Sequence, residues 1–240
     1  MSFFSSFTKR PTLDAAIKQV AQARKSEAGK AEQLYKGAYQ GFAKVIADNQ
    51  EFSDALYHWG FALLHEAKQQ RKEQAIETLE DAVSKFSFCL LTAPNYLGAA
   101  IDGGVAFMEL ARISEDDSKN YLYRMAEQFF EKACQIQKGS AAYNLACIYA
   151  LQDDQDACLA ALQVAKDYGS LPDEAHILPD LDMQSVIDQP WFKEFLAGVV
   201  VEEAPKSRIK DVEIHSEPTI KIIKGEDFDY YGDQKNQLKE

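Results

Sequence analysis

Small and apolar residues recur along most of the chain at helical spacing, and one set of marks returns every 44 residues. Each copy has a small residue, a second small residue 22 positions later, then Phe four positions on and a modest apolar residue three further. The copies are Ala16, Ala38, Phe42 and Val45; Gly60, Ala82, Phe86 and Cys89; and Gly104, Ala126, Phe130 and Ala133. A shorter fourth copy has Ala146, Cys158, Leu162 and Ala165. A repeat of this kind is typical of stacked helical units.

Helix-favouring residues dominate between these marks, and the pattern predicts helices near 12–25, 29–48, 53–72, 73–92, 96–113, 118–137, 140–152 and 155–168. Two helices approach to about 8–10 Å only where side chains are small, so we expect consecutive helices to pair at the Ala and Gly marks. The aromatic residue is expected to fill the space between one pair and the next. Because one pair cannot bury its own apolar face, neighbouring pairs must stack into a continuous core.

We therefore predict an all-α fold, an α-α superhelix (solenoid) of about four antiparallel helix pairs. The helical domain is expected at 12–197, with units at about 12–52, 53–94, 96–138 and 139–170 and a cap at 171–197. An N-terminal segment at 1–11 precedes it, and a charged linker and tail at 198–240 follow it.

Residues of the fourth copy resemble the tetratricopeptide repeat, namely Ala142, Leu145, Ala146 and Tyr149 on its first helix and Cys158, Leu162 and Ala165 on its second. The second copy is similar through Leu56, Trp59, Gly60, Leu63, Ala82, Phe86 and Pro94. The segment 178–183, with Trp191, Phe192 and Phe195, resembles the end-of-group element that closes some bacterial arrays of this family. The resemblance implies a superhelix that binds proteins. Since the usual repeat has 34 residues, HEAT-like helix pairs are the second alternative.

Charge and hydropathy narrow the class of partner. The formal net charge is −12, and an acidic protein repels phosphate backbones, so we expect no nucleic-acid ligand. No apolar run approaches the ~20 residues that cross a bilayer, so an integral membrane protein is not expected. The first ten residues lack the features of a secretory signal, and we predict a cytoplasmic protein.

Motifs that carry catalysis or bind a cofactor are not found, so we predict neither an enzyme nor a cofactor. The four cysteines fall in helical apolar patterns and are interpreted as reduced structural thiols. His58 and His65 share a helix face without a His-Glu-x-x-His motif, so they are interpreted as half-buried histidines, and a metal site is the alternative. Residues 153–156 lack the features of a calcium loop and are interpreted as a turn.

The first helix of each pair is expected to line a groove, because repeat superhelices bind their partners on a concave face. The positions three before and one after the first small mark, and the next turn, give an apolar lining: Tyr57, Phe61, Leu64, Ile101, Val105, Met108, Tyr143 and Cys147. The functional interpretation is a groove for an extended or helical apolar peptide. The alternative is that longer helices bury these residues inside the superhelix. The family resemblance adds Asn144, which matches a position that clamps a C-terminal carboxylate in some tetratricopeptide domains.

The C-terminal part contains a candidate short linear motif at 220–231, with Ile220, Ile222, Ile223, Phe228, Tyr230 and Tyr231 as its apolar residues. It would dock in the chain's own groove or recruit a partner; disorder is the alternative. The function predicted is a non-catalytic scaffold that binds a protein or peptide partner of unknown identity. The alternative is a structural subunit that self-assembles, so a homo-oligomer is possible.

Overall fold

The computed structural model describes residues 11–48 and 52–202, and the regular elements in these ranges are helices. The α-helices are α1 Pro11–Ala23, α2 Ala28–Ala47, α3 Phe52–Ala67, α4 Lys72–Thr92, α5 Leu97–Ile113, α6 Asp116–Ile136, α7 Ala142–Leu151, α8 Gln155–Asp167, α9 Glu174–Ile177 and α10 Pro190–Glu202. A 3-10 turn at Leu181–Met183 lies between α9 and α10. The eight predicted helices correspond to α1–α8.

Consecutive helices pack as antiparallel pairs, α1 with α2, α3 with α4, α5 with α6 and α7 with α8. In the first pair, Gly37 faces Gln19, whereas Gly41, farther along α2, faces Ala16, which lies earlier on α1. The close approach depends on small residues, because a Cβ on Gly41 would lie 2.9 Å from the Ala16 Cβ. The predicted all-α solenoid of helix pairs is confirmed.

The glycine marks receive an aromatic ring from the partner helix. A Cβ on Gly104 would lie 2.4 Å from the Phe130 ring, and a Cβ on Gly60 would lie 2.9 Å from the Phe86 ring. Both rings therefore pack within their own pair, a contact that the prediction of an aromatic filling the space between pairs did not include. Phe86 serves both contacts, since its Cβ also faces Gly103 of the next pair.

Buried side chains form three clusters along the solenoid, centred on α1–α3, α3–α6 and α7–α10. Tyr39, Trp59 and Phe61 pack against both of the first two clusters, so these are continuous. Each pair contacts its neighbours, as expected for a repeat protein whose core runs along one axis.

Two boundaries differ from the predicted ones. The helix α3 ends at Ala67 rather than near 72, and the turn that follows is held by the Thr78 hydroxyl, which donates to Gln70 Oε1 at 2.7 Å. The helix α10 continues to residue 202, past the predicted start of the linker at 198.

The C-terminal segment of the described chain packs on the last helix pair. Phe192 is fully buried and Phe195 nearly so, in a cluster with residues of α7 and α8, and Trp191 is half-buried beside them. These side chains cover apolar surface that the final pair of a stack otherwise leaves in water.

Length and hydropathy together rule out a bilayer-crossing helix among the helices of the described residues.

Candidate protein-binding surface

The first helices of successive pairs lie side by side, since α1 contacts α3 and α3 contacts α5. We call the surface formed by α1, α3, α5 and α7 the first-helix face. It carries the residues that the sequence predicts for the groove, and the structure divides them into two groups. Tyr57, Phe61, Ile101 and Asn144 are half-buried, whereas Leu64, Val105, Met108, Tyr143 and Cys147 are buried.

Tyr57 on α3 is the centre of an aromatic group that joins two repeat units. Its ring centroid lies 4.9 Å from that of Tyr96 and 6.2 Å from that of Phe61. The Tyr57 ring also lies against Gly98, where a Cβ would come within 2.9 Å of it. Glycine at 98 therefore lets the start of α5 approach α3 closely.

A buried carboxyl group lies beside the hydroxyl of Tyr57. The Tyr57 hydroxyl donates to Asp102 Oδ2 at 3.0 Å, and Asp102 is only 2% exposed. Burial raises the pKa of Asp102 to about 7, while the hydrogen bond from Tyr57 and the charge of Lys68 oppose that rise. Near neutral pH this carboxyl group therefore exists in both protonation states.

Phe61 lies one turn after Tyr57 and contacts both a cation and an imidazole ring. The Arg24 guanidinium lies 5.4 Å from the Phe61 ring centroid, and the His65 ring lies 4.4 Å from it. Burial, followed by the charges of Arg24 and Lys68, lowers the pKa of His65 to about 3. His65 is therefore neutral at physiological pH, so the positive charge here belongs to Arg24 and Lys68.

These cations belong to a row that repeats with the helix pairs. Arg24, Lys68 and Arg112 are 44 residues apart, each eight residues after the first small mark of its copy. All three are half-buried at the ends of α1, α3 and α5. The sequence interpretation omitted this row, although the spacing of the repeat was sufficient to find it.

Each cation acts on the unit that follows it along the stack. Arg24 lies over Phe61 of α3, and the charge of Lys68 lowers the pKa of Asp102 on α5. Arg112 pairs with Asp182, whose Oδ2 lies 2.5 Å from its guanidinium, in the segment that packs on α7. The row therefore links successive units across the first-helix face.

The end of the face near α7 is covered by the chain itself. The Tyr143 hydroxyl donates to Asp180 Oδ2 at 2.9 Å, and the backbone N–H of Asp182 donates to Asp180 Oδ1 at 3.0 Å. A small recess between α5 and α7 remains, lined by Met108, Phe130, Tyr143, Asn144, Cys147 and Asp182. Four predicted groove residues therefore line this recess, beside the segment 180–183.

Ligand-type atoms of Cys147, Asp180 and Asp182 lie within 4.8 Å of one another, and all three residues are buried. Burial, followed by the charge of Asp180, raises the pKa of the Cys147 thiol well above its ordinary value, so the thiol is protonated. The carboxylates already accept hydrogen bonds from Tyr143 and Arg112. The arrangement is that of a network holding the 180–183 segment on α7.

Other candidates of the sequence interpretation have structural roles. His58 packs edge-on against Tyr57, and burial lowers its pKa. Asp154 caps α8 by accepting a hydrogen bond from the Ala157 N–H at 3.0 Å. The tail residues Ile220, Ile222, Ile223, Phe228, Tyr230 and Tyr231 lie outside the described residues.

Comparison with known proteins identifies relatives of this solenoid. Residues 15–155 match the model of a family described as the plant-specific mitochondrial import receptor subunit TOM20. Over 97 residues, 40% of this chain, it is 31% identical to the mitochondrial import receptor subunit TOM20-1 of Arabidopsis thaliana. The alignment covers 52% of that relative, so the chain spans about half the length of the curated protein it matches.

These relatives correct two predictions. The predicted cytoplasmic location is wrong, because the matching family is one of mitochondrial import receptor subunits. The resemblance to bacterial tetratricopeptide arrays finds no support, although the helix-pair architecture stands. A receptor family agrees with the broader expectation of a non-catalytic protein that binds other proteins. The family match covers most of α1, all of α2–α7 and more than half of the chain, and the protein therefore belongs to the plant TOM20 family of mitochondrial import receptor subunits.

Proposed function

We propose that this chain is a subunit of a mitochondrial import receptor and that it binds proteins destined for import on its first-helix face. It acts by binding, without catalysing a reaction, at the mitochondrial surface that faces the cytosol. The contact residues are Tyr57, Phe61 and Ile101 of α3 and α5, with Asn144 at the edge of the α7 recess.

The observation that carries this proposal is the half-exposed apolar surface of α3 and α5 above a buried floor. Tyr57, Phe61 and Ile101 keep part of their surface in water, whereas Leu64 and Val105 are only 3% and 4% exposed. Surface apolar residues held in place by a packed layer form a preformed site, which lowers the entropy cost of binding.

The chemistry of the partner follows from the family and from the charge of the chain. Mitochondrial targeting segments are amphipathic, rich in Arg and poor in acidic residues. An amphipathic helix binds by laying its apolar face in a groove, here against Phe61 and Ile101. The net charge of −12 attracts the basic face of such a segment as it approaches.

A binding measurement with Phe61→Ala tests the proposal. Burying a large apolar side chain contributes about 1.5–3 kcal/mol, so removal of the ring should weaken a labelled targeting peptide about tenfold or more. Fluorescence anisotropy measures the affinity, and a thermal melt followed by circular dichroism verifies that the variant is folded.

The matched control is Phe88→Ala on α4, because Phe88 is 56% exposed and lies outside the first-helix face. Its peptide affinity should equal that of the unmodified chain. Equal losses in both variants, or none in the folded Phe61→Ala variant, would exclude this surface. Light scattering on the same samples measures the molecular mass and so tests the self-assembling alternative. The exposed side chains of Phe88 and Leu91 on α4 are apolar surface that such an assembly could bury.

A further inference from the structure

One cation of the row, Arg112, already binds an acidic segment of the chain. The sequence 180–182 reads Asp-Leu-Asp, and both carboxylates are buried while Leu181 is 63% exposed. Asp182 pairs with Arg112, the third cation of the row, and Asp180 accepts a hydrogen bond from Tyr143. An Asp-apolar-Asp segment therefore already lies across the ends of two first helices.

The first two cations of the row present the same chemistry to an acidic ligand. The charges of Arg24 and Lys68 both lower the pKa of His65, so two positive charges act on one neutral imidazole, and the Arg24 guanidinium lies over the adjacent Phe61 ring. Within 11–48 and 52–202, the Arg24 guanidinium lies over the Phe61 ring, and none of the ion pairs there includes it. A guanidinium group held on an apolar ring can donate two parallel hydrogen bonds to a carboxylate.

One segment of the chain combines the required groups. Residues 226–231 read Glu-Asp-Phe-Asp-Tyr-Tyr, in which Asp227, Phe228 and Asp229 repeat the spacing of the Asp-Leu-Asp sequence. Its aromatic residues suit the neighbouring Phe61 ring. The 23 residues from 203 to 225 span at most about 80 Å when extended, and packed helices lie about 8–10 Å apart, so the segment can reach α1 from α10.

We propose that residues 226–231 bind the first-helix face of the same chain across Arg24 and Lys68, as Asp182 binds Arg112. Because the segment is tethered, its effective concentration is in the millimolar range and a weak contact suffices. The bound segment covers Phe61, so, if the proposed function holds, it competes with the imported protein for the same surface. The docking itself does not depend on that function.

Photo-crosslinking in the full chain tests the docking without an import peptide. Phe228→p-benzoylphenylalanine places a photoreactive ring in the segment, and mass spectrometry locates its products. The expected product is a crosslink within one molecule to residues 61–68. The double variant Arg24→Glu, Lys68→Glu should reduce its yield at least fivefold, and adding Asp227→Lys and Asp229→Lys should restore it.

The control Lys30→Glu, Lys44→Glu makes the same change in net charge at two exposed positions of α2, and it should leave the yield unchanged. The proposal is overturned by crosslinks only between molecules, by crosslinks to other helices, by no crosslink at all, or by a yield insensitive to the Arg24 and Lys68 reversal. Failure of peptide binding in the Phe61 experiment, with the crosslink intact, would reject the proposed function alone.

Discussion

At the residue scale, burial disfavours the charged form of Asp102, and the stability of the fold therefore depends on pH. The folded chain raises the pKa of this carboxyl group from its ordinary 3.8 to about 7, chiefly through desolvation. Between these values the folded state holds a proton that the unfolded state has lost. The contribution of Asp102 to stability is therefore fully present below about 3.8 and is lost as the pH rises through about 7.

We expect Asp102→Asn to stabilise the chain at pH 8 and to have a smaller effect at pH 5. Asparagine keeps an oxygen that accepts the Tyr57 hydrogen bond but has no charge to desolvate. The gain at pH 8 should be on the order of 1–3 kcal/mol. Urea unfolding at both pH values measures it, and taking the difference from the unmodified chain cancels the opposite pH dependence of His58 and His65. A gain that is equal at pH 5 and pH 8 would refute the assignment.

At the scale of elements, the helices can be predicted from local sequence. The positions where paired helices touch accept only small residues, and these positions recur at helical spacing. Gly60 and Gly104 lie where an aromatic ring of the partner helix meets the helix backbone, and the small residues Ala16 and Ala146 occupy the same mark in the other two pairs. The end of α3 escaped prediction because residues 68–72 include no glycine or proline and favour a helix. The hydrogen bond from Thr78 to Gln70 that holds the turn is a tertiary contact.

The network that holds the C-terminal cap escaped prediction for a different reason. Arg112 and Asp182 are 70 residues apart, and their pairing depends on how the chain returns after α8. No local sequence pattern predicts that the Asp180 carboxylate accepts a hydrogen bond from Tyr143. Nearest-neighbour packing nevertheless limits the energetic influence of this network to the last units.

We expect Asp182→Ala to loosen the cap while leaving the first pairs unchanged. The substitution removes the buried carboxylate that contacts Arg112 at 2.5 Å. Hydrogen exchange should accelerate in residues 174–196 and in α7, with amides of α1 and α2 unaffected. Asp188→Ala is the control, because its pair with Lys193 involves a carboxylate that is 92% exposed and should contribute little. Equal acceleration in both variants would argue against the network.

At the scale of the molecule, the candidate surface was predictable in part. The half-buried positions Tyr57 and Phe61 follow from the repeat, since residues around each small mark share one face. Which groove residues the longer helices bury, such as Val105 and Met108, depends on the spacing between units and not on the pattern. The roles of Arg24, Lys68 and Arg112 depend on the residues of the next unit that lie near them, and the repeat pattern does not specify these residues.

The whole-molecule charge leads to a kinetic prediction for the proposed receptor. A net charge of −12 attracts an Arg-rich targeting peptide over a distance set by salt, about 30 Å at 0.01 M and about 8 Å at 0.15 M. We expect its association rate to fall about tenfold across this range. Dissociation should change little, because it depends mainly on the apolar contacts at Phe61 and Ile101.

Stopped-flow fluorescence with the full chain measures both rates. The control is a peptide with the same apolar face and Gln at each Arg position, whose association should be slower and nearly independent of salt. An Arg-rich peptide that associates at one rate at all salt concentrations would show that the acidic body does not guide its partner. Binding would then depend only on the apolar contacts at Phe61 and Ile101, because Arg24 lies over the Phe61 ring and offers a basic peptide no attraction.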